Sequence, residues 1–390
     1  MVRETLTRML SPAFRELLKV EWEQLRARRA LPCMFAILAS LAAGLLSGHP
    51  AGGMVAAGGA MTVGFGSFQW LGASRVAPML WATGGMAVSA IGGSLVGHAG
   101  PGFIFNAAFA GLGAGLLLAL GPGASWIGQQ CAIVALVASG YPAGWQIAVS
   151  RAGLILAGGA LQTLVMILFW RWRHPRAAPP QEDSFPGVAP ALSTLWTSLR
   201  TPTDARHYAF RQAVTLAVAA GTEHYTGLPN GYWVPMTALL VLRPAFQPTF
   251  QRGVLRVAGT VVGAALATLL VRTFHLDALA IALLIVLFAW LAYALVNVNY
   301  GLFAIFLTAY IVFLLDFAGL SAQVVVAHRT LNTALGGGLA LLSYVTVLLR
   351  RWRHPDAHPA PPARPPSLDI AARYPPGVEV AHTEAGGSTT

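Results

Sequence analysis

Between Glu23 and Glu182 the chain carries no acidic residue, and within residues 31–170 its only charged side chains are Arg75 and Arg151. A stretch so long and so poor in charge cannot make the solvated surface that a domain folded in water requires. Charged residues amount to 10 % of the whole chain and apolar ones to 56 %, where a soluble domain carries roughly 25 % charge. The same hydrophobicity excludes intrinsic disorder as the state of the whole. What remains is a polytopic helical membrane protein.

Gly and Pro cut residues 31–170 into six apolar segments, at 31–48, 52–71, 76–97, 103–120, 124–140 and 146–170. Residues 209–349 divide likewise, at 209–226, 231–244, 253–272, 276–296, 299–316 and 323–349. Most approach the roughly 20 residues that cross about 30 Å of hydrocarbon. The segment 231–244 is short, as expected of a tilted, broken or re-entrant helix. The reading is an all-α integral membrane protein with about twelve transmembrane helices.

The halves resemble one another. Trp172-Arg173-His174-Pro175 recurs as Trp352-Arg353-His354-Pro355, 180 residues on, and Arg151 with Gly158-Gly159 recurs as Arg329 with Gly336-Gly337, 178 residues on. Met61-Thr62 pairs with Met236-Thr237 at an offset of 175. Three matches in the same order indicate a duplication. An even number of helices per half gives two parallel six-helix repeats about an axis along the membrane normal. The expected organisation is an amphipathic N-terminal segment (1–30, helical over 12–29, lying on the membrane surface), a first repeat (31–170), a polar linker (171–208) with a helical piece near 190–200, a second repeat (209–349) and a disordered tail (350–390).

The net charge of +11 marks topology. With the N-terminus in the cytoplasm, Arg75, Arg171, Arg173, Arg176, Arg211, Arg243, Arg252, Arg256, Arg350, Arg351 and Arg353 fall at cytoplasmic ends, and Arg272 is the outer exception. That is a positive-inside pattern placing both termini in the cytoplasm. No dense basic cluster with interleaved aromatics points to nucleic acid. Cys33 and Cys131 sit singly in apolar runs and read as buried small residues. No metal-ligand, Walker or dinucleotide pattern is present, so neither an enzyme, a cofactor nor an ATP-driven motor is expected, and no cleavable signal peptide is read.

The run "NGYWVPMTALLVLRPAFQPTFQRGVLRVAGTVVGAAL", residues 230–266, and "RTLNTALGG", beginning at Arg329, carry a family resemblance. Through Tyr232-Trp233, Pro235-Met236-Thr237, Arg243-Pro244, Thr249, Arg252, Arg256, Gly259-Thr260 and Gly263, and through Arg329, Asn332, Thr333 and Gly336, residues 209–349 resemble the fusaric acid resistance / aromatic acid exporter family. The resemblance implies a bacterial inner-membrane efflux protein with aromatic carboxylates as typical substrates, and kinship to anion-conducting plant malate channels. Larger members of that family carry sizeable cytoplasmic domains, and this chain has only a short linker and tail. Its first half keeps Arg151 and the Gly pair but lacks the Asn-Thr.

The leading expectation is therefore a secondary exporter of small organic anions. A passive anion channel and a non-transporting membrane scaffold are the alternatives. The partners expected are the anion, the bilayer, and a second copy of the chain or a periplasmic adaptor subunit. Two readings stand for Arg151 and Arg329: guanidinium forks facing the pseudo-two-fold axis that hold an anion, or side chains snorkelling to outer headgroups, with Asp316 within reach of Arg329. Pro244 and Pro248 are expected to prevent a regular helix, leaving Arg252 and Arg256 on one face at a helix start, either as a cytoplasmic mouth or as lipid anchors. Tyr232 and Trp233, with Asn332 and Thr333, complete the candidate substrate site. Glu223 and Asp316 are the proton-coupling candidates, and Glu223 is expected in an outer loop.

Overall fold

The computed structural model of the chain describes residues 19–97, 101–173, 187–274, 277–319 and 322–353. The chain divides into a main unit, Met1–Tyr344, and a second, Val345–Thr390, whose described part is helical residues 345–353. The expected tail lies outside the described residues beyond Arg353, as do residues 1–18.

The described residues are helical with a single isolated β-bridge between Leu71 and Ser74. The helices are α1 (Ala27–Leu46), α2 (Pro50–Gly66), α3 (Val76–Val96), α4 (Pro101–Leu116), α5 (Pro122–Ser139), α6 (Trp145–Arg173), α7 (Val188–Arg200), α8 (Asp204–Thr226), α9 (Trp233–Val241), α10 (Phe246–Thr273), α11 (Ala278–Leu295), α12 (Tyr300–Phe317) and α13 (Ala322–Arg353). Seven of them (α1, α3, α4 with the 3-10 turn that follows it, α6, α10, α11 and α12) are long and apolar enough to cross a membrane. The helix ends follow local chemistry. Pro50, Pro101 and Pro122 open their helices, where a missing N–H costs nothing. The Asp277 side chain accepts from Ala280 N at 2.7 Å, and Asn299 Oδ1 accepts from Gly301 N at 2.8 Å. These N-caps remove Asp277 and Asn299 from the pool of free polar groups.

Two expectations fail locally. Residues 19–26 are not helical: Trp22–Gln24 form one 3-10 turn. Glu21 N and Arg26 N instead donate to the carbonyls of Val298 and Ala294, docking this segment on the α11–α12 corner. Pro248 does not bar a helix, because α10 starts at Phe246. That puts the ring in the first turn, where helix N–H groups have no partner in any case.

Short connections make successive helices antiparallel, so the bundle has two ends. The basal end holds the start of α1, the α2–α3, α4–α5 and α11–α12 connections and the end of α6. The distal end holds the connections α1–α2, α5–α6 and α8–α9. Exposed tryptophans lie at both, with Trp22, Trp81, Trp172 and Trp196 basal and Trp145 distal. Amphipathic rings at two levels are the pattern of membrane–water interfaces.

The helix pairings recur between the halves. α1 packs on α2, and α8 on α9; α3 on α5, and α10 on α12; α4 on α5, and α11 on α12. Across the halves, α4 packs on α8 as α11 does on α1, and α5 on α9 as α12 does on α2. Glycines sit where backbones come closest. A Cβ on Gly158 would strike the Ala56 carbonyl, and one on Gly336 the Val234 carbonyl, so both partners of the crossing are 178 residues apart between halves. Gly93 against the Ala135 carbonyl and Gly263 against that of Ile305 form a second crossing, both partners shifted by 170. At the offset of the first crossing Thr237 corresponds to Gly59, three residues from the Thr62 of the sequence match.

Candidate functional site

The two motifs of the second half meet at a break in its second helix. α8 ends in Gly227, in the left-handed region at φ 61°, and Asn230 follows at φ 54°. α9 then spans only nine residues, about 13 Å at 1.5 Å per residue. It is buried along almost its whole length. Non-helical backbone inside such a bundle needs its carbonyls satisfied. Distally, Asn332 Nδ2 donates to the carbonyls of Pro229 and Asn230, at 3.0 and 3.1 Å. Basally, Tyr208 donates to the Leu242 carbonyl at 3.2 Å, Arg211 to those of Arg243 and Pro244 at 2.9 and 3.1 Å, and Tyr344 also to that of Arg243. Arg243 N donates to Thr249 Oγ1 at 2.9 Å. The Asn of the second motif thus holds the loop that opens the first, and the Arg-Pro turn is tied by Arg211, read from sequence only as a charge at a helix end, and by Tyr208 and Tyr344, which sequence reading passed over.

Arg329 lies one turn before Thr333 on α13, and Arg256 one turn before Thr260 on α10. Each arginine is 1 % exposed. The Arg329 guanidinium stacks on the Trp233 ring, 4.0 Å from its centroid, and Arg256 is within Coulombic range of it. Among the described residues no hydrogen-bond partner meets any of the three Arg329 nitrogens, nor Nε and Nη1 of Arg256. The buried hydroxyls of Thr237 and Thr260 are likewise unpartnered among the described residues. Buried polar groups are nearly always satisfied, and an unpaired buried cation costs several kcal/mol. Among the described residues these two cations and hydroxyl donors have no carboxylate bonded to them.

Several sequence-derived placements change here. Arg329 does not pair with Asp316, which lies half-buried in the last turn of α12. Arg252 and Arg256 share a helix face but not an environment. Arg252 lies over the Tyr300 ring at 4.6 Å and lines a basal cavity of about 220 Å³ with Lys19, Gln251 and Asn297, whereas Arg256 is inside the bundle rather than at a mouth. Glu223 is not in a loop. It is buried in the last turn of α8, so close to Gly231 that a Cβ there would overlap its side chain. Arg151 is half-buried, and its Nη1 donates to Ser94 Oγ at 3.1 Å and to the Tyr141 carbonyl. The paired arginines of the two halves therefore differ: Arg151 is satisfied by neutral acceptors and Arg329 is not. Tyr141 continues the chain, its hydroxyl 3.0 Å from that of Tyr232, whose ring adjoins Trp233. Among the described residues no group of three or more His, Cys, Asp or Glu could hold a metal.

Comparison with known proteins bears on the same region. The profile of the family described as "Fusaric acid resistance protein-like" matches residues 214–343. "Inner membrane protein YccS" of Escherichia coli (strain K12) is 30 % identical over 161 residues, covering 40 % of this chain and 22 % of that protein. "Uncharacterized protein YhfK" of the same organism is 30 % identical over 174 residues, 43 % of this chain and 24 % of that one. "Uncharacterized protein ORF2" of Neisseria gonorrhoeae is 27 % identical over 169 residues, 42 % and 40 % of the two chains. The matches thus span less than half the length of each relative. No solved structure matches the chain. The resemblance that the two motifs carry is accordingly shown: over residues 214–343, where Trp233, Arg256, Arg329 and Asn332 come together, this membrane protein matches the fusaric acid resistance protein-like family.

Proposed function

We propose that the chain is a secondary transporter that exports small organic anions, with aromatic carboxylates as the favoured class, and that the anion binds between Arg256 and Arg329 beside Trp233. The observation that carries the reading is the pair of buried arginines with five unpartnered guanidinium nitrogens. A carboxylate accepts two parallel hydrogen bonds from such a fork, and the buried Trp233 indole beside Arg329 gives a ring something to pack on. Arg252 at the basal cavity, one turn from Arg256, gathers the anion on entry.

The wider arrangement is part of the proposal. Twelve spans form two parallel repeats, with the basal end in the cytoplasm. The matched pairings and the two glycine crossings support the repeat. The basal Arg26, Arg75, Arg171, Arg173, Arg211, Arg243 and Arg252 support the orientation. The site belongs to the second repeat alone, because the first has Met86 where the crossing offset of 170 places Arg256, and its Arg151 is already satisfied. Buried Glu223, behind the loop that Asn332 holds, is the proton-coupling group; Asp316, at the end of α12, is the second candidate.

Flux of a panel of radiolabelled organic anions into proteoliposomes, with and without a pH gradient, tests this. Uphill accumulation that needs the gradient and fails in Arg329→Met supports an exporter. Conduction without a gradient makes the protein a channel, and no flux of any anion makes it a scaffold.

A further inference from the structure

We propose that α7 is an interfacial helix, lying along the basal leaflet of the bilayer with Val188, Leu192 and Trp196 set among the acyl chains. α7 (Val188–Arg200) joins the two membrane halves and packs on the Leu117–Leu120 turn, α4 and α8, all at the basal end. Its faces divide in three. Ala191 and Ser198 are buried against the bundle, with Leu195 and Leu199 partly covered beside them. On the opposite side Ser193, Thr194 and Thr197 are exposed and polar. Between them runs an apolar stripe, at successive helical turns, that no described residue covers: Val188 is 58 % exposed, Leu192 60 % and Trp196 54 %.

A helix with bundle on one flank, a polar back and an open apolar stripe on the other flank fits one place, the edge of the bundle at the headgroup–acyl boundary. Two further observations place lipid there. Exposed apolar side chains also stand at the basal ends of the helices on either side of it in sequence, Leu168 and Trp172 of α6 and Phe210 of α8. Its C-terminal turn ends in exposed Arg200, stacked 4.2 Å from the Trp196 ring centroid, with Arg206 donating to the Arg200 carbonyl. A tryptophan at the boundary with a cation over it, facing the headgroup phosphates, is the arrangement expected at an anionic leaflet. α7 is thereby a membrane-bound element, not a solvated one.

The full chain in vesicles of phosphatidylethanolamine and phosphatidylglycerol tests this. Spin labels are placed singly at Leu192→Cys and Thr197→Cys in a background with Cys33→Ala and Cys131→Ala. The label at 192 is expected to be more accessible to oxygen and less to an aqueous nickel chelate, and that at 197 the reverse. Equal nickel accessibility at both positions overturns the proposal, as does a label at 192 that neither reagent reaches, which would mean a second copy of the chain covers the stripe. In the native-cysteine chain, Trp196→Phe is expected to remove a component of tryptophan emission that shallow-brominated lipid quenches. If the component removed is instead quenched by aqueous acrylamide, the stripe faces water.

Discussion

Replacing Arg329 by methionine separates a ligand-binding arginine from a structural one. The guanidinium is 1 % exposed with no hydrogen-bonded partner among the described residues. Desolvating it costs several kcal/mol. Its stacking on Trp233 at 4.0 Å returns about 2 kcal/mol. Methionine has similar length, fills the same space and needs no partner. The unliganded variant is therefore expected to be at least as stable as the native chain, with a gain of up to about 4 kcal/mol. Binding changes in the opposite direction. Hydrogen bonds to a charged group contribute about 1.5–3 kcal/mol, so loss of the fork lowers anion affinity roughly 10- to 100-fold. The assay is thermal unfolding of purified protein with and without benzoate at alkaline pH. An anion at a hundred times its Kd stabilises by about 2.7 kcal/mol, and a hundredfold rise in Kd reduces that to about 0.4 kcal/mol. The native chain should show the larger shift, and the variant a melting point that is no lower but scarcely moves with benzoate. A variant that melts well below the native chain yet keeps the full benzoate shift would refute the reasoning and make Arg329 a packing element.

Arg151→Ala should do the reverse. It breaks the bonds to Ser94 and the Tyr141 carbonyl, costs about 1–3 kcal/mol of stability, and leaves the benzoate shift intact. Gly158→Ala and Gly336→Ala each drive a Cβ into a carbonyl of the facing helix, and thermal unfolding should show comparable losses of about 1–3 kcal/mol for the two; a loss at one site alone would argue against equivalent crossings. Glu223→Gln should abolish the dependence of flux on a pH gradient while leaving downhill flux, and unchanged coupling in proteoliposomes would remove Glu223 from the mechanism.

Much of the scaffold was legible because membrane helices announce themselves by length and by what punctuates them. Each of the twelve apolar segments corresponds to an observed helix, seven of the described helices being long and apolar enough to cross a membrane, and Pro50, Pro101, Pro122, Gly97 and Gly121 mark boundaries as their backbone preferences dictate. What the pattern could not show was depth. Arg252 and Arg256 are four residues apart, so sequence puts them on one face. Whether that face meets a cavity or a helix depends on α9 and α13, which arrive from elsewhere in the chain. The same holds for Glu223, whose burial is set by how the loop at Gly231 folds back, and for Pro248, which breaks a helix or begins one according to where the first turn falls. Arg151 and Arg329 looked alike because position in a repeat is visible in sequence, while the acceptors that satisfy one of them are 57 and 10 residues away along the chain. The Met-Thr match and the first glycine crossing differ by three residues, since common dipeptides and the glycines that set helix contact mark a repeat by different criteria.

The central claim is that an aromatic carboxylate passes by way of Arg256 and Arg329. Its most direct test is saturable flux of radiolabelled benzoate into proteoliposomes at alkaline pH, where the membrane-permeant neutral acid is scarce, for the native chain and for Arg256→Met/Arg329→Met. The account predicts saturable flux in the first and the background of protein-free liposomes in the second, with both proteins folded. Equal flux through both, or native flux no greater than that of empty liposomes, would contradict it.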